Sequence, residues 1–347
     1  MKPPPAPIST HWLSVTLIAS IAWFLLLRIY YWIKPSLPGS VRLVLRRWWV
    51  RRKRGSCGEQ WPILESAGLA PQGWSGWPDG GKFAFVLTHD VESQRGLDRV
   101  RQLAEVEMAL GFRSAFNFIP EGPYQVAPEL RQWLVERGFE VGVHDHRHDG
   151  KLYNSRSHFL ASAARINHFL REWNAVGFRS GFMFHNLEWI KDLNVLYDSS
   201  TFDTDPFEPQ PHGVKTIFPF WVAGRNGCGY VELPYTLVQD STLFVMLQEK
   251  SNEIWKRKLQ WITTRGGMAL LNVHPDYVAF EPQQRRRAEY SVNHYTDFLR
   301  WVKATYGSQH WHALPRNVAE FWRKGSCKLL LLAALLHGET ANLSLAA

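Results

Sequence analysis

The chain has 347 residues, of which 45% are hydrophobic and 14% aromatic, enough for one sizeable core with appendages rather than several small domains. Its net charge of +9 is concentrated, because eight Lys and Arg residues and no carboxylate lie between Lys34 and Arg54. The remainder is close to neutral, which argues against a nucleic-acid-binding surface. Three widely spaced cysteines support neither a disulfide framework nor a thiolate metal site.

An apolar run lies near the start of the chain. It extends from Trp12 to Leu27 and resumes through Ile33 after Arg28, which supplies the ~20 residues of a membrane-spanning helix. A signal peptide is the main alternative, but its positive region would hold little beyond Lys2 and no small-residue cleavage site follows. We therefore predict an uncleaved single-pass membrane anchor in residues 1–33. The excess of Lys and Arg after it predicts that the main domain is cytoplasmic.

Residues 34–60 form a basic segment after the predicted anchor. Five of its apolar residues recur at the spacing of one helical face: Val41, Val44, Leu45, Trp48 and Trp49. Arginines occupy much of the remaining circumference. Such a helix is expected to lie in the membrane interface with its basic side over anionic lipid. A helix packed on the main domain is the alternative.

Residues 61–325 read as one α/β domain, followed by a tail at 326–347 that either packs as a helix or stays irregular. Short apolar runs alternate with helical patterns, as in a parallel barrel or an open sheet. One such helix begins after Ser155, and another ends at Gly266 or Gly267. The predicted strands are Phe83–Thr88, Arg113–Ile119, Phe139–His144, Val176–Arg179, Val195–Thr201, Lys215–Trp221 and Gly267–His274.

Polar residues that bind metals or transfer protons follow five of these runs. They are His89 and Asp90, His144 to His148, Arg179, the acidic group Asp198, Asp203 and Asp205, and His274. In a parallel β/α barrel the carboxyl ends of the strands meet on one face, where such folds build their active sites. Packing requirements explain one such ending easily but explain five together poorly.

Two imidazoles and a carboxylate from these ends are candidate metal ligands. His144 and His148 are four residues apart, a spacing that lets both rings approach one ion, and Asp90 supplies an anionic ligand. A metal held by this set would acidify a bound water and polarise a carbonyl. His274 is then the natural general acid. Arg179 with Asp203 and Asp205 is either an ion pair that orients catalytic residues or an ordinary buried pair.

Together these elements resemble the polysaccharide deacetylases with the NodB-homology domain, carbohydrate esterase family 4. The resemblance runs from Phe83 to His274 and implies a distorted (β/α)7 barrel preceded by the membrane anchor. Five stretches correspond to the family motifs: Leu87-Thr88-His89-Asp90, His144 to His148, Arg179-Ser180-Gly181-Phe182, Phe202-Asp203-Thr204-Asp205-Pro206 and Leu271-Asn272-Val273-His274. The resemblance assigns Asp90 to the metal, Asp203 to the arginine, His274 to acid catalysis and the Phe182 N–H to the oxyanion.

Two departures from the motifs affect the predicted mechanism. His89 stands where the family has its general-base aspartate, and Gly181 replaces a proline. His89 could itself serve as the base, and Glu92 is a second candidate.

The sequence thus predicts a metal-dependent hydrolase that removes N-acetyl groups from a polysaccharide, an oligosaccharide or a lipid-linked glycan. Zinc is the default ion for two histidines and an aspartate. A catalytically weak glycan-binding protein is the first alternative, favoured by His89, and a metal hydrolase of another amide or ester is the second.

Overall fold

The computed structural model describes residues 39–224 and 228–336. Contacts divide the chain into two compact units, Met1–Arg51 and Arg52–Ala347. The predicted anchor in residues 1–33 lies outside the described residues. Within the two described ranges, no helix is both long and apolar enough to cross a membrane.

Helix α1, Gly39–Arg54, lies within the basic segment predicted at 34–60 and has the predicted helical conformation. The lead-in that follows it contains short 3-10 turns at Gly58–Gln60, Glu65–Gly68 and Pro78–Gly80 and no strand before residue 84.

A mostly parallel sheet forms the centre of the second unit. Its strands are β1 (Ala84–Val91), β2 (Ala115–Phe118), β3 (Glu140–His144), β4 (Gly177–Arg179), β5 (Tyr197–Asp198), β6 (Phe220–Ala223), β7 (Gly229–Glu232), β8 (Met268–Asn272) and β11 (Trp311–His312). The two-residue strands β9 (Val278–Ala279) and β10 (Tyr290–Ser291) pair separately. Both β1 and β8 are buried along their whole length, as expected for strands covered on both faces.

The strand pairings form one continuous sheet. The order is β11-β1-β2-β3-β4-β5-β7-β6, with β8 pairing β1 on its other side, and every pair except β6–β7 is parallel. No regular pairing joins β7 to β8 within the described residues; the segment after β7 contacts β8 through an isolated parallel bridge between Leu237 and Leu271 and through backbone hydrogen bonds from Thr236 and Leu237 to Leu270. The predicted α/β class is confirmed. Register sets Asp90 opposite Asn117 and His144 opposite Arg179, which brings polar residues of neighbouring strands to one end of the sheet.

Helices cover the sheet. They are α2 (Gln94–Leu110), α3 (Pro128–Glu136), α4 (Arg156–Glu172), α5 (Leu187–Ile190), α6 (Glu253–Arg265), α7 (Asn293–Tyr306) and α8 (Pro315–Leu336). The predicted caps are confirmed: the Ser155 side chain accepts the His158 N–H at the start of α4, and Gly266 ends α6 in a left-handed conformation. Helix α8 continues past the boundary predicted between residues 325 and 326.

The sequence misplaced one part of the sheet. The predicted strand Lys215–Trp221 overlaps only the antiparallel edge strand β6, while the parallel strand β7 was not predicted. Strand β7 is short and follows a Gly-rich stretch, so it carries little of the apolar pattern that marked the other strands.

Candidate active site

Three side chains converge at the carboxyl end of the sheet. Glu92 directly follows β1, His144 ends β3, and His148 lies in the loop after β3. Each offers one ligand atom, and these atoms all lie within 4.8 Å of one another. Two imidazoles and one carboxylate form a donor set suited to a divalent metal. The predicted ligand set was Asp90, His144 and His148, so the histidines are brought together as predicted, with Glu92 rather than Asp90 beside them.

The histidine rings are oriented as metal ligands would be. His144 Nδ1 lies 3.0 Å from the Arg179 carbonyl oxygen, which fixes the tautomer and leaves Nε2 as the free acceptor. His144 Nε2 is buried and has no hydrogen-bond partner among the described residues. His148 Nε2 lies 3.2 Å from Glu92 Oε1 but is not aligned for a hydrogen bond. Burial lowers the pKa of His144, which favours the neutral, metal-binding ring. The residues present therefore fit a metal ion.

Asp90 lies close by but is held by hydrogen bonds. Its Oδ1 accepts from Asn117 Nδ2 at 2.9 Å and its Oδ2 from Asn272 Nδ2 at 2.8 Å, while Arg179 Nη1 lies 3.4 Å from both oxygens. Burial alone would raise the pKa of Asp90, but Arg179 and His144 outweigh it and hold this pKa well below its usual range. Asp90 is therefore an oriented, ionised carboxylate.

Arg179 has partners that differ from those predicted. It is fully buried, donates to Ser199 through Nε and Nη2, and places Nη1 against Thr88 and Asp90. Asp203, the predicted partner, instead lies 2.8 Å from Lys258 Nζ, with both side chains buried. The pairing of Arg179 with Asp203 was wrong because α6 supplies a lysine to Asp203, and the arginine reaches β1.

His274 lies two residues after β8 and faces the three-residue group. Its Nε2 lies 3.9 Å from Glu92 Oε1, and its Nδ1 lies 2.6 Å from Asp240 Oδ1. Asp240 also accepts the His274 backbone N–H and the Tyr290 hydroxyl. Burial alone would lower the pKa of His274, but Asp240 raises it, to about 10. The geometry leaves Nε2 directed at the site, as required of a proton donor.

His89 points to the opposite face of β1, since side chains alternate along a strand. Its ring nitrogens lie 2.9 Å from the Val273 carbonyl oxygen and 2.8 Å from Glu107 Oε1, and the ring is fully buried. The suggestion that His89 acts as the base is wrong on this geometry, because the ring has no access to the group around Glu92.

The loop of Gly181 and Phe182 packs on His148. The Phe182 ring stacks on the His148 ring with centroids 4.5 Å apart. Asp145, His148, Phe182 and Met183 all have left-handed backbones, with φ between 53° and 58°. Such conformations cost about 1–3 kcal/mol each in non-glycine residues and cluster at functional sites. This concentration marks the two loops as a functional region.

Sequence reasoning missed the roles of two carboxylates. The sequence indicates Glu92 only as a candidate base and gives Asp240 no role. Both follow the pattern that marked the other residues, since Glu92 follows β1, and Asp240 follows the apolar run at Leu237 and Val238.

No family model matches the chain, and no curated protein matches it closely enough to count as a relative. Its fold is similar to solved structures. A putative polysaccharide deacetylase from Mycobacterium smegmatis is 22% identical in sequence. The match covers 74% of this chain and 96% of the deacetylase chain, with a TM-score of 0.55. Puue allantoinase is 16% identical, and the match covers 72% of this chain and 92% of the allantoinase chain, with a TM-score of 0.53. At sequence identities of 22% and 16%, these comparisons show a shared fold and nothing finer.

Proposed function

We propose that this protein is a metal-dependent hydrolase that removes N-acetyl groups from an N-acetylated sugar in a polysaccharide, an oligosaccharide or a lipid-linked glycan. The observation that carries the proposal is the arrangement of His274 against Glu92, His144 and His148. It sets a candidate proton donor beside a candidate metal site. The motif resemblance and the fold shared with a putative polysaccharide deacetylase support the choice of substrate class.

Glu92, His144 and His148 would hold the metal, for which Zn²⁺ is the default with two imidazoles and a carboxylate. When bound, a divalent ion polarises a carbonyl and makes a neighbouring water more acidic. The Arg179 carbonyl keeps His144 in the tautomer that this requires. Asp90 would remain outside the ligand set because both of its oxygens already accept hydrogen bonds from amide groups.

Asp90 is our candidate for the general base. Asp90 lies in β1 two residues before Glu92, a spacing that places both side chains on the same side of an extended chain. Arg179, Asn117 and Asn272 fix its orientation and keep it ionised. Arg179 has the role of positioning Asp90.

His274 would donate a proton from Nε2 to the leaving nitrogen of the amide. Asp240 holds the opposite nitrogen, Nδ1, and so keeps the ring in one orientation. The backbone N–H of Phe182 is our candidate for stabilising the oxyanion, because the Phe182 ring stacks on His148 and its loop adjoins the metal site.

The test combines metal analysis with acetate release. The purified full-length protein should bind about one divalent ion per chain and release acetate from N-acetylglucosamine oligomers. Chelation should abolish release, and added Zn²⁺ should restore it. Glu121→Gln is a suitable control variant, because Glu121 pairs with His146 and Arg165 rather than with the proposed ligands.

Glycan binding by a metal-loaded protein that releases no acetate would contradict the proposal and select the weak, glycan-binding alternative. Release of product only from other amides or esters would select the second alternative. The single-pass anchor and the cytoplasmic position of the catalytic unit stay predictions from the sequence.

A further inference from the structure

Helix α1 exposes a concentration of apolar side chains. Among the side chains described in residues 40–224 and 228–325, seven large hydrophobic ones are exposed, and four of them lie in this one helix. They are Val41, Val44, Leu45 and Trp48, with exposed fractions of 42%, 55%, 45% and 61%. Soluble surfaces carry such residues singly, whereas a contiguous set marks an interaction surface.

These four residues share one face of the helix, because their spacing of i, i+3, i+4 and i+7 is that of a single helical stripe. The same 16-residue helix contains seven Lys and Arg residues and no carboxylate. Arg42 and Arg46 follow apolar members of the stripe directly in sequence, so they lie at its flank. An apolar stripe bordered by cations is the pattern of a helix that lies in a bilayer interface.

We propose that α1 lies in the interface of an anionic phospholipid bilayer, with the stripe of Val41, Val44, Leu45 and Trp48 inserted below the headgroups. Charge complementarity decides the occupant, since an unbroken excess of cations matches the negative surface of phosphatidylserine or phosphatidylglycerol membranes. The exposed Trp suits the headgroup region because its ring is apolar with one polar group. The proposal is independent of the proposed hydrolase activity.

The experiment measures depth at one position of the stripe, because vesicle binding alone would not distinguish α1 from the anchor predicted in residues 1–33. The full-length protein, with Cys57, Cys228 and Cys327 replaced by Ser, receives a nitroxide at Leu45→Cys. It is reconstituted in phosphatidylcholine vesicles with or without 30% phosphatidylglycerol. Two collision rates of the nitroxide are measured. One is with oxygen, which enters bilayers, and the other is with a nickel chelate, which stays in water.

The control label is placed at Leu160→Cys in α4, where the exposed fraction of 46% matches the 45% of Leu45. In anionic vesicles we expect the Leu45 label to be accessible to oxygen and protected from nickel, while the Leu160 label stays accessible to nickel. The double variant Arg42→Gln/Arg46→Gln should lower the ratio of inserted to aqueous Leu45 label by roughly 30-fold. Each basic residue near an anionic surface contributes about a factor of 5 to the membrane-binding constant.

Three results would overturn the proposal. A Leu45 label as exposed to nickel as the Leu160 label would show that the stripe stays in water. Equal insertion without phosphatidylglycerol would show that anionic lipid is not its partner. A label protected from oxygen and nickel alike would show that the stripe packs against protein.

Discussion

Asp145 Oδ2 accepts a hydrogen bond from the Gly181 backbone N–H at 3.2 Å and thereby joins the two loops of the candidate site. Asp145 belongs to the loop between His144 and His148, and Gly181 precedes Phe182. A Cβ added at Gly181 would lie 2.6 Å from Asp145 Oδ2 and 2.7 Å from His148 Cδ2. The family motif has a proline where this chain has Gly181. A proline has no N–H, so the hydrogen bond to Asp145 is possible only because a residue other than proline stands here.

Gly181→Ala should weaken metal binding, because the new Cβ must displace the His148 ring or the Asp145 carboxylate. Disturbing groups that orient metal ligands typically costs 10- to 100-fold in affinity, and we expect a loss in that range. Zn²⁺ titration with a chelating competitor measures it.

The matched control is Gly325→Ala in α8, where a Cβ would meet no described atom within 4 Å outside its own stretch of helix. It should retain the affinity of the unchanged protein. Unaltered Zn²⁺ affinity in Gly181→Ala would show that His148 does not depend on this close packing.

Asp90→Asn and Glu92→Gln should separate the two roles that the geometry distinguishes. Glu92→Gln removes a proposed ligand, so both metal content and acetate release should fall. Asp90→Asn removes only the proposed base, so the protein should keep about one ion per chain while its kcat falls about 10²- to 10⁴-fold. Loss of metal in Asp90→Asn with retention in Glu92→Gln would instead restore Asp90 as the ligand.

The sequence predicted which strand ends carry the site but not every partner there. His144, His148 and His274 could be chosen because metal and proton chemistry favours imidazole at a strand end. The choice between Asp90 and Glu92 depended on the hydrogen bonds that Asn117 and Asn272 make from neighbouring strands. Those contacts depend on strand register, which no local pattern displays.

Other errors have a similar cause. The partner of Asp203 depends on how α6 packs, and that helix places the buried Lys258 against it. Asp240 was missed because the parallel contact that locates its segment is a single bridge between Leu237 and Leu271, not a regular strand. The alternation of side chains along β1, by contrast, could have shown that His89 and Asp90 point to opposite faces.

Asp240→Asn should reduce acetate release because the amide can no longer hold His274 as the carboxylate does. Changing the carboxylate of an aspartate–histidine pair to an amide lowers kcat by up to about 10⁴-fold in serine proteases, and we expect at least a 10²-fold loss here. Zn²⁺ content should not change. Tyr290→Phe, which removes one donor from Asp240, should have a much smaller effect. A variant with unchanged kcat would show that His274 is oriented by other contacts.

Glu107→Gln should destabilise the protein in a pH-dependent manner. Burial alone would raise the pKa of Glu107, but His89, Ser114 and Tyr295 hydrogen-bond to it and lower this pKa below its ordinary value. Ionised Glu107 therefore stabilises the fold above the unfolded pKa of about 4.3, and this contribution is lost as the pH falls through the folded value.

The difference in unfolding free energy between Glu107→Gln and the unchanged protein should be about 3 kcal/mol at pH 7. It should shrink toward pH 3 in denaturant titrations, and a difference independent of pH would contradict this account.

Asp203→Asn should lower stability without lowering catalysis, because Asp203 pairs with Lys258 and not with Arg179. Both side chains of the Asp203–Lys258 pair are buried, so the variant leaves an ammonium without its counter-charge and should cost about 3–5 kcal/mol of unfolding free energy. Lys258→Met in the same protein removes the unpaired charge and should recover part of that loss.

The kcat per folded molecule, measured below the unfolding transition, should stay within about twofold of the unchanged value, because Asp203 lies outside the group of Glu92, His144, His148 and His274. A large fall in kcat with little loss of stability would return Asp203 to the catalytic role that the motif resemblance assigned to it.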